Sequence, residues 1–112
     1  MQLNIIRADD LITHLAIQGR LDVKGVNDIQ YEFLIQTSAR RKSTLVDLTK
    51  VTFIASLGMG MLVSAAKGLE RQGVKMVLLG PPTLVKDALE RAGIHHVIPI
   101  AVEESAALEL LR

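Results

Sequence analysis

The sequence has 112 residues, of which 49% are hydrophobic but only 3% aromatic, so a core of aliphatic side chains is expected. Its 13 basic and 12 acidic residues give a net charge of +1, which is too small to hold a nucleic-acid backbone by counterion release. The absence of cysteine excludes disulfides and thiolate chemistry. With no signal-like start and no apolar run of membrane length, the sequence predicts one cytoplasmic domain over residues 1–112 that does not insert into membranes.

The first half of the sequence predicts a β-hairpin followed by a helix. Two short apolar runs, residues 2–7 and 11–18, flank a polar turn of the kind that joins antiparallel strands. In the second run apolar positions alternate with mixed ones, which predicts one core face and one mixed face carrying His14. Apolar residues then recur every three or four positions and predict a helix over 23–39. The basic segment 40–42 complements the dipole at the end of that helix, and we interpret it as a solvated terminus.

The second half predicts strands that alternate with helices. The apolar segments 44–48 and 51–54 suggest buried strands separated by a turn, and a helix over 58–72 leads to a strand over 74–79. A further helix runs from the Pro81–Pro82 pair to a capping glycine, Gly93, and a last strand over 97–100 precedes a C-terminal helix. Strands alternating with helices imply parallel pairing through βαβ units, so we predict an α/β fold with a mixed, mostly parallel sheet covered by helices.

The sequence lacks the residue patterns of catalysis and of cofactor binding. No serine or threonine stands in a nucleophile elbow or triad context, so an enzyme is not predicted. His95 and His96 are neighbours, and neighbours on a strand point to opposite faces, so a metal site is not predicted either. Gly58 and Gly60 open a helix after a strand, but the lysine of a Walker loop and the third glycine of a dinucleotide fingerprint are missing. We therefore expect no cofactor.

Segment 53–62 is the most informative stretch, because it places Ser56 at the junction between an apolar run and a helix. One interpretation is structural: the hydroxyl accepts a hydrogen bond from the first helical amides as an N-cap. The other is functional, since the amides and dipole that favour an N-cap also tolerate a phosphate. A phosphate would add a charge of about −1.5 to −2 beside Ile54, Leu57, Met59 and Met61, where it would act on any partner covering that patch.

These residues resemble the serine motif of the STAS family, in the form found in bacterial anti-sigma-factor antagonists. In that motif an aspartate precedes a phosphorylated serine, and a second Ser or Thr, Gly-x-Gly and an apolar helix follow. Ser56 matches the phosphorylated serine, and Gly58 and Gly60 match the glycines, whereas Ala55 replaces the aspartate and Leu57 the second hydroxyl residue.

Further segments match family landmarks in the same order along nearly the whole chain. Residues 19–22 resemble the Gly-x-Leu/Ile-Asp turn, and residues 45–49 resemble the strand that ends in Asp-Leu-Ser. The resemblance implies a STAS-like fold and an antagonist that binds an anti-sigma factor of the serine-kinase type and thereby frees a sigma factor. It also implies Ser56 as the phosphorylation site, and we expect the partner surface to include Asp22, Ile54, Leu57, Gly58, Met59, Gly60 and Met61.

Alternatives stay open at this point. The same surface could dock a transporter or signalling assembly as a scaffold in which Ser56 is never modified, or the helix N-terminus could serve as an anion site of a small-ligand sensor. Asp22 could be only a turn-forming residue. The sequence leaves homodimerisation open as well.

Overall fold

The computed structural model describes residues 1–112 as a five-stranded sheet with four α-helices. A π-helical turn, Ile35–Ala39, extends the first helix, and a 3-10 turn, Ile94–His96, follows the third. The elements are β1 (Gln2–Ala8), β2 (Ile12–Leu21), α1 (Val23–Leu34), β3 (Ser43–Ile54), α2 (Ser56–Glu70), β4 (Met76–Leu79), α3 (Thr83–Arg91), β5 (Ile100–Ala101) and α4 (Glu104–Leu111).

The strands lie in the order β1-β2-β3-β4-β5, with β1 antiparallel to β2 and every other neighbouring pair parallel. This confirms the predicted mixed, mostly parallel sheet covered by helices. Because β2 to β5 are parallel, their carboxyl ends meet at one edge of the sheet, which we call the carboxyl edge. Helices α1, α2, α3 and α4 each begin shortly after one of these strands ends, so all four helix N-termini lie towards the carboxyl edge.

The core has two parts because the strands of the sheet alternate their side chains between two faces. Helices α1, α2 and α3 cover one face, where residues such as Leu15, Phe33 and Leu62 are fully buried. Helix α4 covers the other face over β3, β4 and β5, with a smaller cluster that includes Leu45 and Leu111. None of the helices combines the length and the apolar character needed to cross a bilayer.

Two strand predictions need correction. Strand β3 runs without interruption from Ser43 to Ile54, because register shifts in its pairing with β2 absorb the polar residues where a turn was predicted. The predicted strand 97–100 is also wrong, since only Ile100–Ala101 pairs with β4. Gly93 has a φ of 76° and turns the chain into the 3-10 segment that holds His95 and His96. Their rings are 4.0 Å apart, so the two histidines do not point to opposite faces of a strand as predicted.

Two polar side chains near the hairpin, His14 and Arg40, are less exposed to solvent than the sequence suggested. His14 lies on the strand face opposite Leu15, as predicted, but it is only 8% exposed and its Nε2 has no hydrogen-bond partner. Arg40 is not simply solvated: its guanidinium donates to Thr13 Oγ1 at 2.8 Å and to the carbonyl of Asp9. Arg40 therefore ties the end of the first helix to the β1–β2 turn.

Candidate functional site

The two turns that follow β2 and β3 lie side by side at the carboxyl edge. Leu21 at the end of β2 pairs with Ile54 at the end of β3. The amide of Ala55 then donates to the carbonyl of Leu21 at 2.9 Å, which continues the ladder one residue past the strand. The structure thus brings the Asp22 turn and the Ser56 turn together, although they are 34 positions apart in the sequence.

Ser56 is the first residue of α2, so the prediction that it is the N-cap is wrong by one position. Ala55 is the N-cap, with an extended backbone at φ −98° and ψ 171°. The reason is that Ala55 still donates to the β2 strand, so helical geometry begins only at the next residue. The Ser56 side chain is exposed and makes no hydrogen bond, and no side chain caps the first amides of α2. An enzyme could reach this hydroxyl without unfolding the helix.

Gly58 and Gly60 occupy different environments in the same helix. A Cβ atom at Gly58 would lie 2.9 Å from the carbonyl oxygen of Leu21 and 3.2 Å from Cγ1 of Ile54. Gly58 therefore allows α2 to start directly against the end of β2. A Cβ atom at Gly60 would meet no atom within 4 Å, and this residue is exposed. Packing thus accounts for Gly58 but gives no reason for a glycine at Gly60.

Asp22 is the N-cap of α1 and accepts a hydrogen bond from the amide of Gly25 at 2.8 Å. This bond is the main reason that the pKa of Asp22 is lowered, and the neighbouring Arg20 guanidinium lowers it further. Asp22 therefore has a structural role as a helix cap, and its place on the partner surface stays a prediction. Gly25 was missed in the sequence, yet a Cβ there would lie only 1.9 Å from the carbonyl oxygen of Arg20. A glycine three positions after a capping aspartate, inside a helix that it weakens, was the available signal.

The predicted partner residues divide into exposed and supporting groups. Leu57 is 47% exposed, and Gly60 and Ser56 also face solvent. Met59 is half-buried, whereas three of the predicted residues are buried, namely Ile54, Gly58 and Met61. The buried residues hold the start of α2 in place from beneath, and only the exposed ones present a surface that another protein could cover.

Two apolar residues of this edge were missed by sequence reasoning. Val23 in the first turn of α1 is 61% exposed, and Leu84 in the first turn of α3 is 70% exposed. Together with Leu57 they give three helix N-termini at the carboxyl edge an exposed apolar side chain. Arg20 adds a cation 4.3 Å from the ring centre of Phe53. Exposed apolar groups gathered at one end of a small domain are typical of a protein-binding surface. The signal in the sequence was an apolar residue in a first helical turn, outside the buried stripe of that helix.

A groove of about 390 Å³ runs between α1 and α2 and reaches Ser56. None of its lining residues carries a charge. They are Val26, Gln30, Phe33, Leu34, Ser38, Ser56, Leu57, Gly60, Met61, Ser64 and Ala65. The serine of the motif thus stands at an uncharged, mainly apolar groove, which the sequence did not reveal because α1 and α2 are far apart along the chain.

Residues 4–107 match the family model described as the STAS domain. The chain belongs to the STAS domain family. This confirms the resemblance drawn from the serine motif. A Bordetella bronchiseptica protein with the name "Putative anti-sigma factor antagonist BtrV" is 22% identical over 107 residues, which cover 96% of this chain and 91% of that protein.

Solved structures share the fold of this STAS domain. An anti-sigma factor antagonist from Mycobacterium paratuberculosis has a TM-score of 0.85 at 15% identity, and the match covers 99% of this chain and 95% of that one. The Bacillus protein SpoIIAA in its phosphorylated form has a TM-score of 0.70 at 18% identity, with 99% and 100% covered. Part of the murine anion transporter Slc26a9 also matches, with a TM-score of 0.74 at 14% identity over 94% of this chain and 18% of the transporter. At these identities the likeness establishes the fold.

Proposed function

We propose that this STAS domain is an anti-sigma factor antagonist, which binds an anti-sigma factor of the serine-kinase type in the cytoplasm and thereby releases a sigma factor. The observation that carries the proposal is the exposed, unbonded Ser56 hydroxyl in the first turn of α2, beside the exposed Leu57. The name of the Bordetella relative and the antagonist structures that share the fold support it. The role is one of binding, and the chain itself performs no reaction.

Phosphorylation of Ser56 is the proposed switch. Amides without a side-chain partner and the positive end of the helix dipole favour an anion at this position, so the phosphate leaves the fold intact. The same charge would disfavour a partner that covers Leu57 and the neighbouring apolar side chains, because it must be desolvated in the interface. The switch therefore acts on binding and not on folding.

A second candidate function is a scaffold or an accessory subunit of a transporter or signalling assembly, in which Ser56 is never modified. Two observations favour it. Ala55 and Leu57 replace the aspartate and the hydroxyl residue of the family motif, so a serine kinase meets a less polar segment. A domain of the same fold also forms part of the transporter Slc26a9.

The substitution Ser56→Asp tests the switch, and Ser105→Asp is its control. Both serines are exposed in the first turn of a helix, but α4 with Ser105 lies over the other face of the sheet. The carboxylate that Ser56→Asp introduces interacts favourably with the dipole by about 0.3–1 kcal/mol, so urea denaturation should show unchanged or slightly higher stability. Titration calorimetry with each serine-kinase-type anti-sigma factor of the source genome should show at least a tenfold weaker complex for Ser56→Asp, about 1.4 kcal/mol, and no weakening for Ser105→Asp.

Intact-mass measurement after incubation with the same anti-sigma factor and ATP provides the second test. The wild type should gain one phosphate, and Ser56→Ala should gain none. If Ser56→Asp bound its partner as tightly as the wild type and no phosphate were added, the scaffold function would replace the switch.

A further inference from the structure

The groove between α1 and α2 has apolar walls and an exposed rim. Phe33 and Met61 are buried in its walls, whereas Leu34 and Leu57 on its rim are 54% and 47% exposed. Its volume of about 390 Å³ lies within the range of pockets that hold another molecule's groups. Leaving these two leucines in water is unfavourable, so a partner that covered them would gain hydrophobic stabilisation.

The groove is open near Ser56 and closes towards the far ends of the two helices. At the closed end a Cβ atom on Gly68 would lie 3.2 Å from Cβ of Ser38, which the π-helical turn Ile35–Ala39 carries. At the open end a Cβ atom on Gly60 would meet nothing within 4 Å. The two helical segments are thus in close contact at Gly68, and there is empty space over Gly60.

The chemistry of the lining restricts what can fill this space. Its polar members are neutral: three serines and Gln30 line it, and no acidic or basic residue does. A charged occupant would lose its hydration without gaining an ion-pair partner, which is unfavourable. An apolar occupant has no charge to desolvate, and it covers the two exposed leucines. The uncharged lining therefore favours an apolar occupant over an acidic or a basic one.

We infer that this groove receives the apolar face of a helix from the anti-sigma factor, with one side chain seated over Gly60, and that phosphate on Ser56 displaces that helix. The inference rests on the proposed function and names the part of the partner that the switch controls. An amphipathic helix laid in an apolar groove is a common mode of recognition. Because Ser56 lines the same groove, its phosphate would place a dianion beside the apolar occupant.

The substitution Gly60→Leu tests the inference by filling the space over Gly60. Binding to the anti-sigma factor should weaken at least tenfold in titration calorimetry, while the circular dichroism spectrum stays unchanged and the thermal midpoint is at or above the wild-type value, because leucine is a better helix former than glycine. Leu34→Glu, which puts a charge on the rim, should weaken binding by a similar factor and replaces Gly60→Leu if that variant folds poorly. Glu90→Leu, which adds the same side chain to the exposed face of α3, should bind as the wild type does.

A double variant, Ser56→Asp with Gly60→Leu, tests whether the serine and the groove act on the same occupant. If they do, the double variant should bind only a few-fold more weakly than the single variant with the lower affinity. The reason is that either substitution alone already displaces the helix. Fully multiplicative losses would overturn the coupling. Binding of Gly60→Leu at wild-type strength would overturn the groove inference and leave the proposed function standing. If the wild-type protein bound none of the anti-sigma factors, the proposed function itself would fail.

Discussion

Gly58 and Gly60 provide a matched pair for testing how α2 is placed against the sheet. Both are glycines near the start of the same helix, so Gly58→Ala and Gly60→Ala add the same methyl group two residues apart. At Gly60 the methyl enters open space, whereas at Gly58 it would lie 2.9 Å from the carbonyl oxygen and 3.0 Å from Cβ of Leu21. The oxygen cannot easily retreat, because it accepts the amide of Ala55 at 2.9 Å.

The magnitudes follow from two terms. Replacing a helical glycine with alanine stabilises by about 0.5–1 kcal/mol, and this gain is common to both variants. Forcing a methyl group into a packed contact costs about 1–3 kcal/mol and applies only to Gly58→Ala. Since the common gain cancels in the comparison, Gly58→Ala should be less stable than Gly60→Ala by about 1–3 kcal/mol. Gly60→Ala alone should be more stable than the wild type.

Urea denaturation followed by far-ultraviolet circular dichroism measures both differences. Equal m-values across the three proteins would show that the comparison reports stability of the same folded state. If Gly58→Ala were as stable as Gly60→Ala, α2 would not start in contact with the end of β2. The geometry that brings Ser56 beside the Asp22 turn would then be wrong.

Two further predictions concern the turns. Ala55→Asp should raise the unfolding free energy by about 0.5–2 kcal/mol in urea denaturation, because it supplies the missing N-cap acceptor of α2, and no gain would contradict the assignment of Ala55 as N-cap. The pKa of Asp9 is lowered from 3.8 to about 2, mainly by the hydrogen bond from the amide of Ile12 and further by Arg7 and the amide of Leu11. The stabilising contribution of the Asp9 carboxylate is therefore present above pH 3.8 and is lost as the pH falls through about 2. Asp9→Asn keeps an acceptor for the two amides without the charge, so its urea midpoint should fall less than that of the wild type between about pH 5 and about pH 2.

The sequence predicted those parts of the fold that depend on local pattern. The α1 stripe of Val26, Ile29 and Phe33 is buried as its spacing indicated, and the run 74–79 contains the fully buried strand β4. The last strand failed because apolar residues at 97–100 satisfy a strand pattern equally well in an irregular segment. In the structure the left-handed turn at Gly93 leads into the 3-10 segment Ile94–His96, and pairing with β4 begins only at Ile100.

The position of the site could be predicted from the sequence, but the residues that form its exposed surface could not. Ser56 stands at a strand-to-helix junction, and its sequence neighbours show that plainly. Which of these neighbours are exposed depends on how α2 lies on the sheet. Leu57 and Met61 are both apolar, so the sequence offers no means of predicting that Met61 is buried and Leu57 exposed. Val23 and Leu84 lie at the same edge only because β2, β3 and β4 are parallel neighbours in the sheet. The order of strands in a sheet cannot be predicted from the residues of one segment alone.

The contacts at the start of α2 favour a switch that changes charge on a fixed platform. The Ala55 amide is bonded to Leu21, and Gly58 touches the same residue, so two contacts fix the helix start on both sides of Ser56. The serine hydroxyl takes part in neither contact, and therefore a phosphate on it breaks no bond that holds the helix. A partner would meet an unchanged backbone with a new dianion at the end of an uncharged groove. In the proposed switch, discrimination between the two forms would come from the cost of desolvating that charge, and the domain would need no second conformation to produce it.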